Sequence, residues 1–281
     1  MKSVRANGVE LAYLEQGTGP LVVLIHGFPD TAQTWDATMA ALAEAGYRAV
    51  APFLRGYHPS EIPANGVYDM ETLGRDVLAL IEALGAQNAI VVGHDWGATA
   101  AYTATAQDPY RVRLLVTVAI PHPRSIKPTP RAMWKMRHFL ALRGKGAAAK
   151  TRADDFAYVD ELWRRWSPAW EPIPASETAA AKDAFSQPGV CEAACAYYAS
   201  LPLFTTPKSL RGNITVPTVS FAGEHDGIMK PRAFEKARHC FDASYEVIQV
   251  PGGHFMHREH PEVFIPELVK ALQQHEQRVR Q

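Results

Sequence analysis

The stretch Ala89-Ile90-Val91-Val92-Gly93-His94-Asp95-Trp96-Gly97-Ala98 decides the fold. Ala89 to Gly93 is a short apolar run of the kind that forms a buried strand, and Ala98 to Ala106 reads as a helix. Between them lies a turn with glycine at both ends. Such glycines let a strand turn sharply into a helix and thrust the central side chain, Asp95, above the sheet. Most turns of this kind hold serine. Aspartate is already ionised at neutral pH and can attack a saturated carbon directly, leaving a covalent alkyl ester. Helix capping by Asp95 alone would leave both glycines unexplained.

The same rhythm extends outward. Leu21 to Ile25, Tyr47 to Ala51 and Val112 to Ala119 read as strands, and helices are expected over Thr34 to Ala45 and from Met70, where Leu73, Val77, Ile81 and Leu84 share one face. Strands that are apolar throughout imply a parallel sheet covered on both faces by helices. Lys2 to Arg5 and Leu11 to Gln16, separated by Asn7-Gly8, read as an antiparallel hairpin at the edge. Pro217 to Gly223, a helix from Arg232, Tyr245 to Val250 and a C-terminal helix, whose start Pro266 blurs, complete an α/β fold with eight strands.

Between these halves the alternation stops. Residues 121–212 carry ten of the 21 prolines and four of the six tryptophans. They read as short helices joined by proline breaks, without a buried strand. A core of 1–120 and 213–281 with a helical lid at 121–212, over the carboxyl edge of the sheet, is the organisation this implies.

The 281 residues hold 29 Lys plus Arg and 29 Asp plus Glu, so the chain has no global charge to draw it to nucleic acid. That neutrality conceals a division. The segment 121–212 has 14 basic and eight acidic residues and is +6, the remainder −6. Nine of those basic residues lie between Arg124 and Arg152, where there is no acid; a solvated face is the first reading, guidance of an anionic substrate the second. The N-terminus lacks the apolar core of a signal peptide and no run approaches a membrane span, so a cytoplasmic protein is expected. Cys191, Cys195 and Cys240 match no metal motif and read as reduced, structural residues.

An ester on Asp95 needs a base to direct water at it. His254, in the glycine-rich loop after the last strand, fits that role. The strand before it ends at Gly223-Glu224-His225-Asp226, where Asp226, or less well Glu224, would orient the histidine. His257 and His260 read as surface or packing residues. After the Leu21 to Ile25 strand comes His26-Gly27-Phe28-Pro29. Backbone N–H groups of Phe28 and Trp96 would form an oxyanion hole, with His26 holding the loop.

These motifs resemble those of epoxide hydrolases of the α/β-hydrolase superfamily: HGFP at 26–29, GHDWGA at 93–98, IPHP at 120–123 and GGHFMHREHPE at 252–262. The resemblance spans the core, while the lid matches poorly. It implies Asp95 as nucleophile, His254 as base, Asp226 as orienting acid, and no cofactor or metal. Such enzymes polarise the epoxide oxygen with lid tyrosines; Tyr198 stands where the second is expected, and for the first the nearest donor is His138, with Tyr158 an alternative. Tyr197 replaces the tryptophan that often precedes Tyr198, and Arg55-Gly56-Tyr57-His58 departs from the family's RGYG. Haloalkane dehalogenases share the Asp nucleophile and following Trp, so dehalogenation stays open, as does a lidded ligand-binding protein without turnover. The expected partner is an apolar small molecule, with neither nucleic acid nor membrane; a homodimer is compatible with the sequence.

Overall fold

The computed structural model describes residues 1–127, 129–201 and 206–280; Pro128 and residues 202–205 of the expected lid, and Gln281, lie outside them. Eight strands form one sheet: β1 (Lys2–Ala6), β2 (Val9–Gln16), β3 (Leu21–Ile25), β4 (Arg48–Pro52), β5 (Ala89–His94), β6 (Val112–Val118), β7 (Thr218–Gly223) and β8 (Tyr245–Val250). Their order is β1-β2-β4-β3-β5-β6-β7-β8. The hairpin β1–β2 and the β2–β4 pair are antiparallel, and every other pair is parallel. Every residue of β3 and β5 is buried, as expected of strands covered on both faces.

Helices α1 (Asp36–Glu44), α2 (Met70–Ala83) and α3 (Trp96–Gln107) join the strands of the first half. The expected helix over 34–45 divides, its opening turn being the tighter 3₁₀ form over Ala32–Trp35. Asp69 caps α2 by accepting the Thr72 N–H. The alanines and threonines of α3 let it pack closely on α2, β5 and β6.

Chain direction places the crevice. From β3 the chain goes to β4 on one side and then to β5 on the other, so the connections leave the carboxyl ends of β3 and β5 in opposite directions. Such a switch point opens a crevice beyond those ends. Its register pairs Ile25 with Gly93, which sets His26 to Phe28 beside His94 and Asp95. At the next crevice wall Gly223 pairs with Val250, which sets the Asp226 turn beside the His254 loop.

Between β6 and β7 come α4 (Pro130–Lys135), α5 (His138–Arg143), α6 (Ala147–Trp166), α7 (Ala175–Ser186) and α8 (Val190–Ala199), with no strand among the described residues. The expected short, proline-broken helices need correction in one place. No proline occurs from 131 to 167, and α6 covers 20 residues, interrupted instead by left-handed backbone at Asp154, Asp155 and Phe156. The remaining helices are α9 (Pro231–Lys236), α10 (Met256–Glu259) and α11 (Pro261–Arg280), which runs through Pro266. The three cysteines are free and buried. Among the described residues no helix is long and apolar enough to cross a membrane.

Candidate active site

Asp95 stands one residue beyond β5 with φ +51° and ψ −115°, a conformation non-glycine residues avoid. The strain is therefore on the aspartate itself, while the flanking glycines supply room. A Cβ on Gly97 would lie 2.1 Å from the Ile25 carbonyl oxygen, and one on Gly93 2.2 Å from that of Gly97. The Asp95 side chain makes no capping bond to α3. Its Oδ1 instead accepts the Phe28 N–H at 2.9 Å. Trp96 opens α3, where main-chain N–H groups have no partner within the helix.

His254 Nε2 lies 3.4 Å from Asp95 Oδ2, and its Nδ1 donates to Asp226 Oδ2 at 3.0 Å. Asp226 Oδ1 accepts the N–H groups of Ile228 and Met229 at 2.6 and 2.9 Å, which fixes the carboxylate with its other oxygen toward the ring. His254 and Asp226 are fully buried, whereas the neighbouring candidate Glu224 is exposed. Burial alone would lower the His254 pKa. The charges and hydrogen bonding of Asp226 and Asp95 outweigh it and push the imidazole up to about 9. Burial likewise would raise Asp95, but His254 holds the carboxyl below its ordinary value.

Three other histidines support this arrangement without touching the carboxylate. His26 accepts the Leu54 N–H on Nε2 at 3.0 Å and donates from Nδ1 to the Gly27 carbonyl at 2.9 Å, so it holds the loop as expected. His94 donates to the His254 carbonyl at 3.0 Å. His257 is buried, bonds Thr34 Oγ1 at 2.8 Å and packs on Trp35 and His94, which makes it a packing residue.

A cavity of about 300 Å³ opens over this constellation. Asp95 and Trp96 are at its base, and Met70, Ile120, Met136 and Phe139 are among its largely apolar walls. Tyr198 and His138 are packed against Phe139, with ring centroids 5.4 and 4.7 Å from it, and are buried. Tyr198 also meets Phe28 and Trp96 edge-on at 5.2 and 5.3 Å. Burial and the Asp95 charge drive its phenol pKa well up, against the pull of the Trp96 indole, so the hydroxyl keeps its proton. The His138 ring is 5.9 Å from that of Tyr198, and burial lowers its pKa to about 3. Tyr158 is buried beneath the Lys150 ammonium, 4.5 Å from the ring centroid.

Trp166, which the sequence marks only as one of four packing tryptophans, and Ser167 tie the inserted helices to the site. The Trp166 carbonyl accepts the N–H of His254 at 3.0 Å and that of Gly227 at 2.9 Å, so one peptide group steadies both the His254 loop and the Asp226 turn. Ser167 Oγ accepts the Phe255 N–H at 3.2 Å. Only the density of tryptophans hinted at this; a carbonyl contact leaves no mark on residue type. Trp163 stacks on Phe255 at 3.7 Å and donates to the Pro29 carbonyl, and Tyr197 donates to that of Arg55.

Residues 20–261 match the family described as alpha/beta hydrolase fold, and the chain belongs to that family. Over 120 residues, 42% of this chain and 36% of the relative, it is 45% identical to the "Epoxide hydrolase" of Caballeronia sordidicola. It thus spans about a third of that relative's length. Over 271 residues, 92% of this chain and 93% of the relative, it is 29% identical to "AB hydrolase superfamily protein YfhM" of Bacillus subtilis. The crystal structure of Epoxide Hydrolase A from Mycobacterium thermoresistibile superimposes with a TM-score of 0.81 at 27% identity, covering 97% of each chain.

Proposed function

We propose that the protein is a cytoplasmic enzyme that hydrolyses apolar epoxides to vicinal diols through an ester on Asp95. The observation that carries this reading is a strained carboxylate, rather than a hydroxyl, at the elbow, 3.4 Å from a histidine that Asp226 orients. The names of the relatives and a protonated Tyr198 beside the nucleophile support the epoxide as substrate.

Phe28 N–H holds Oδ1, so Oδ2 attacks the ring carbon from the side opposite the ring oxygen. The C–O bond of the ring breaks, and its oxygen takes a proton from Tyr198, with His138 as the second donor of the lid. Forming the ester removes the charge of Asp95, one of the two carboxylates holding a proton on His254. The imidazole then sheds that proton, restores the phenol and becomes a base. Water adds to the Asp95 carbonyl carbon as its proton passes to His254. The oxyanion forms on Oδ1 between the amides of Phe28 and Trp96. Collapse expels the diol oxygen, which takes the second proton of the attacking water, and leaves the water oxygen in the ionised Asp95. In this scheme residues 121–212 are the lid and 1–120 with 213–281 the catalytic core.

A single turnover in heavy-oxygen water, with mass spectrometry of the Asp95 peptide, tests the scheme. Label is expected in Asp95 and not in the diol; an unlabelled aspartate overturns the ester. His254→Gln should let the ester accumulate. Dehalogenation by the same nucleophile is separated by a substrate panel scored for both diol and halide. The Trp96 indole lines the cavity and also meets Tyr198 edge-on, so the halide readout of that panel decides between the two reactions.

A further inference from the structure

Three of the seven large apolar side chains that stand exposed among the described residues fall within eight positions of one another: Met133, Trp134 and Leu140, at 39%, 68% and 61% exposure. They lie on α4 and α5. Met133 and Leu140 also border the cavity that reaches Asp95, so the exposed face and the cavity mouth are continuous. The surrounding chain from Arg124 to Arg152 has nine basic residues and no acid. Lys127, Lys145 and Lys150 are exposed, and Arg124, Arg137 and Arg143 donate to main-chain carbonyls, which leaves their charge uncancelled by carboxylates. The Arg137 guanidinium lies 4.6 Å from the Trp134 ring centroid, where it sets positive charge against the most exposed indole.

Exposed tryptophan, leucine and methionine on two short helices, within a stretch of chain rich in lysine and arginine, match the boundary of an anionic bilayer. The apolar tips enter the acyl region and the cations meet lipid phosphates. We propose that α4 and α5 form a peripheral docking surface for an anionic lipid bilayer. The cavity mouth then opens against the membrane, the phase in which apolar substrates accumulate. This replaces the expectation of no membrane partner with surface attachment. An acidic protein would satisfy the cations but has no need of a protruding Trp134 and Leu140 beside a cavity mouth.

The test is flotation of the purified chain with vesicles, which reads binding without turnover and so stands or falls apart from the hydrolase reading. Vesicles of phosphatidylcholine with an equal part of phosphatidylglycerol should carry the protein, and phosphatidylcholine alone should not. Trp134→Ser with Leu140→Ser, and separately Lys127→Glu with Lys145→Glu, should each weaken binding by about tenfold or more, and salt should weaken it further. These side chains are exposed, and circular dichroism checks that the variants fold. Failure to float with the mixed vesicles overturns the proposal. So does undiminished flotation of the folded Trp134/Leu140 variant, or self-association of the wild type that this variant abolishes while vesicle binding is absent.

Discussion

In the sheet region, Asp95, Asp226 and His254 each follow a strand end by no more than four residues, and strand pairing brings them together. In the inserted helices, by contrast, Trp166 and Ser167 reach the same loops through a carbonyl and a hydroxyl presented at the end of α6. In the proposed scheme the first region supplies the reacting groups and the second steadies their loops. The difference shows in substitution. A reacting side chain can be deleted outright, whereas the Trp166 carbonyl survives any replacement of its residue.

Deleting the reacting group should have the largest effect. Asp95→Ala is expected to lower kcat by about 10⁴-fold or more, because no other group can form the ester. Thermal unfolding should show no matching loss of stability, since the variant removes a strained, buried charge. A folded variant retaining a tenth of wild-type turnover would place the chemistry elsewhere.

Arg55 and Asp76 form a buried ion pair with 2.5 Å contacts, and Tyr197 of α8 donates to the Arg55 carbonyl. Arg55→Met would strand the Asp76 carboxylate and should cost about 3–5 kcal/mol in denaturant unfolding. Arg55→Met with Asp76→Leu should recover most of that loss. If the double variant is as unstable as the single one, the pair holds α8 by its geometry rather than its charge.

Acid should undo both regions together. Burial depresses His26 to about 4, His94, His122 and His138 to about 3, and His257 well below its ordinary value. A depressed histidine binds its proton in the unfolded chain first, so each removes stability as pH falls below about 6.5. Asp30, raised by burial to about 6, opposes them by one proton. Burial also raises Asp36 and Asp76, but the buried histidines are more numerous, so stability is expected to fall as pH drops between about 6 and 4. His254 has the opposite sign. Its contribution is complete below about 6.5 and is lost as pH rises through about 9. Chemical unfolding measured across pH, with and without His254→Gln, checks both limbs.

The smallest effect is expected at the contact between the regions. Ser167→Ala leaves the Phe255 N–H without its acceptor and should cost about 1 kcal/mol. Turnover should fall less than about tenfold, with KM unchanged. A loss approaching that of Asp95→Ala would make the hydroxyl a participant in the reaction.

Much of the core was legible because its signals are local. Apolar runs placed β3 and β8 to the residue, and Met70 was the first residue of α2. Glycine-flanked aspartate marked the elbow, and its position after a strand marked the sheet edge. The inserted helices were less legible. Proline counts suggested many breaks, yet α6 turns on left-handed aspartates within a proline-free stretch. Tyr198 and His138 are donors only by the family resemblance, and packing alone shows both rings buried against Phe139.

The sequence by itself determined a parallel α/β core, an aspartate where a serine is usual, and a cationic helical insertion, because each is written in residue type and short-range period. The tertiary structure alone decided that His254 stands 3.4 Å from Asp95, that one tryptophan carbonyl steadies two loops, and that exposed apolar side chains border the cavity mouth. Those facts depend on strand register, main-chain atoms and solvent exposure, which are set by contacts between residues far apart in the chain.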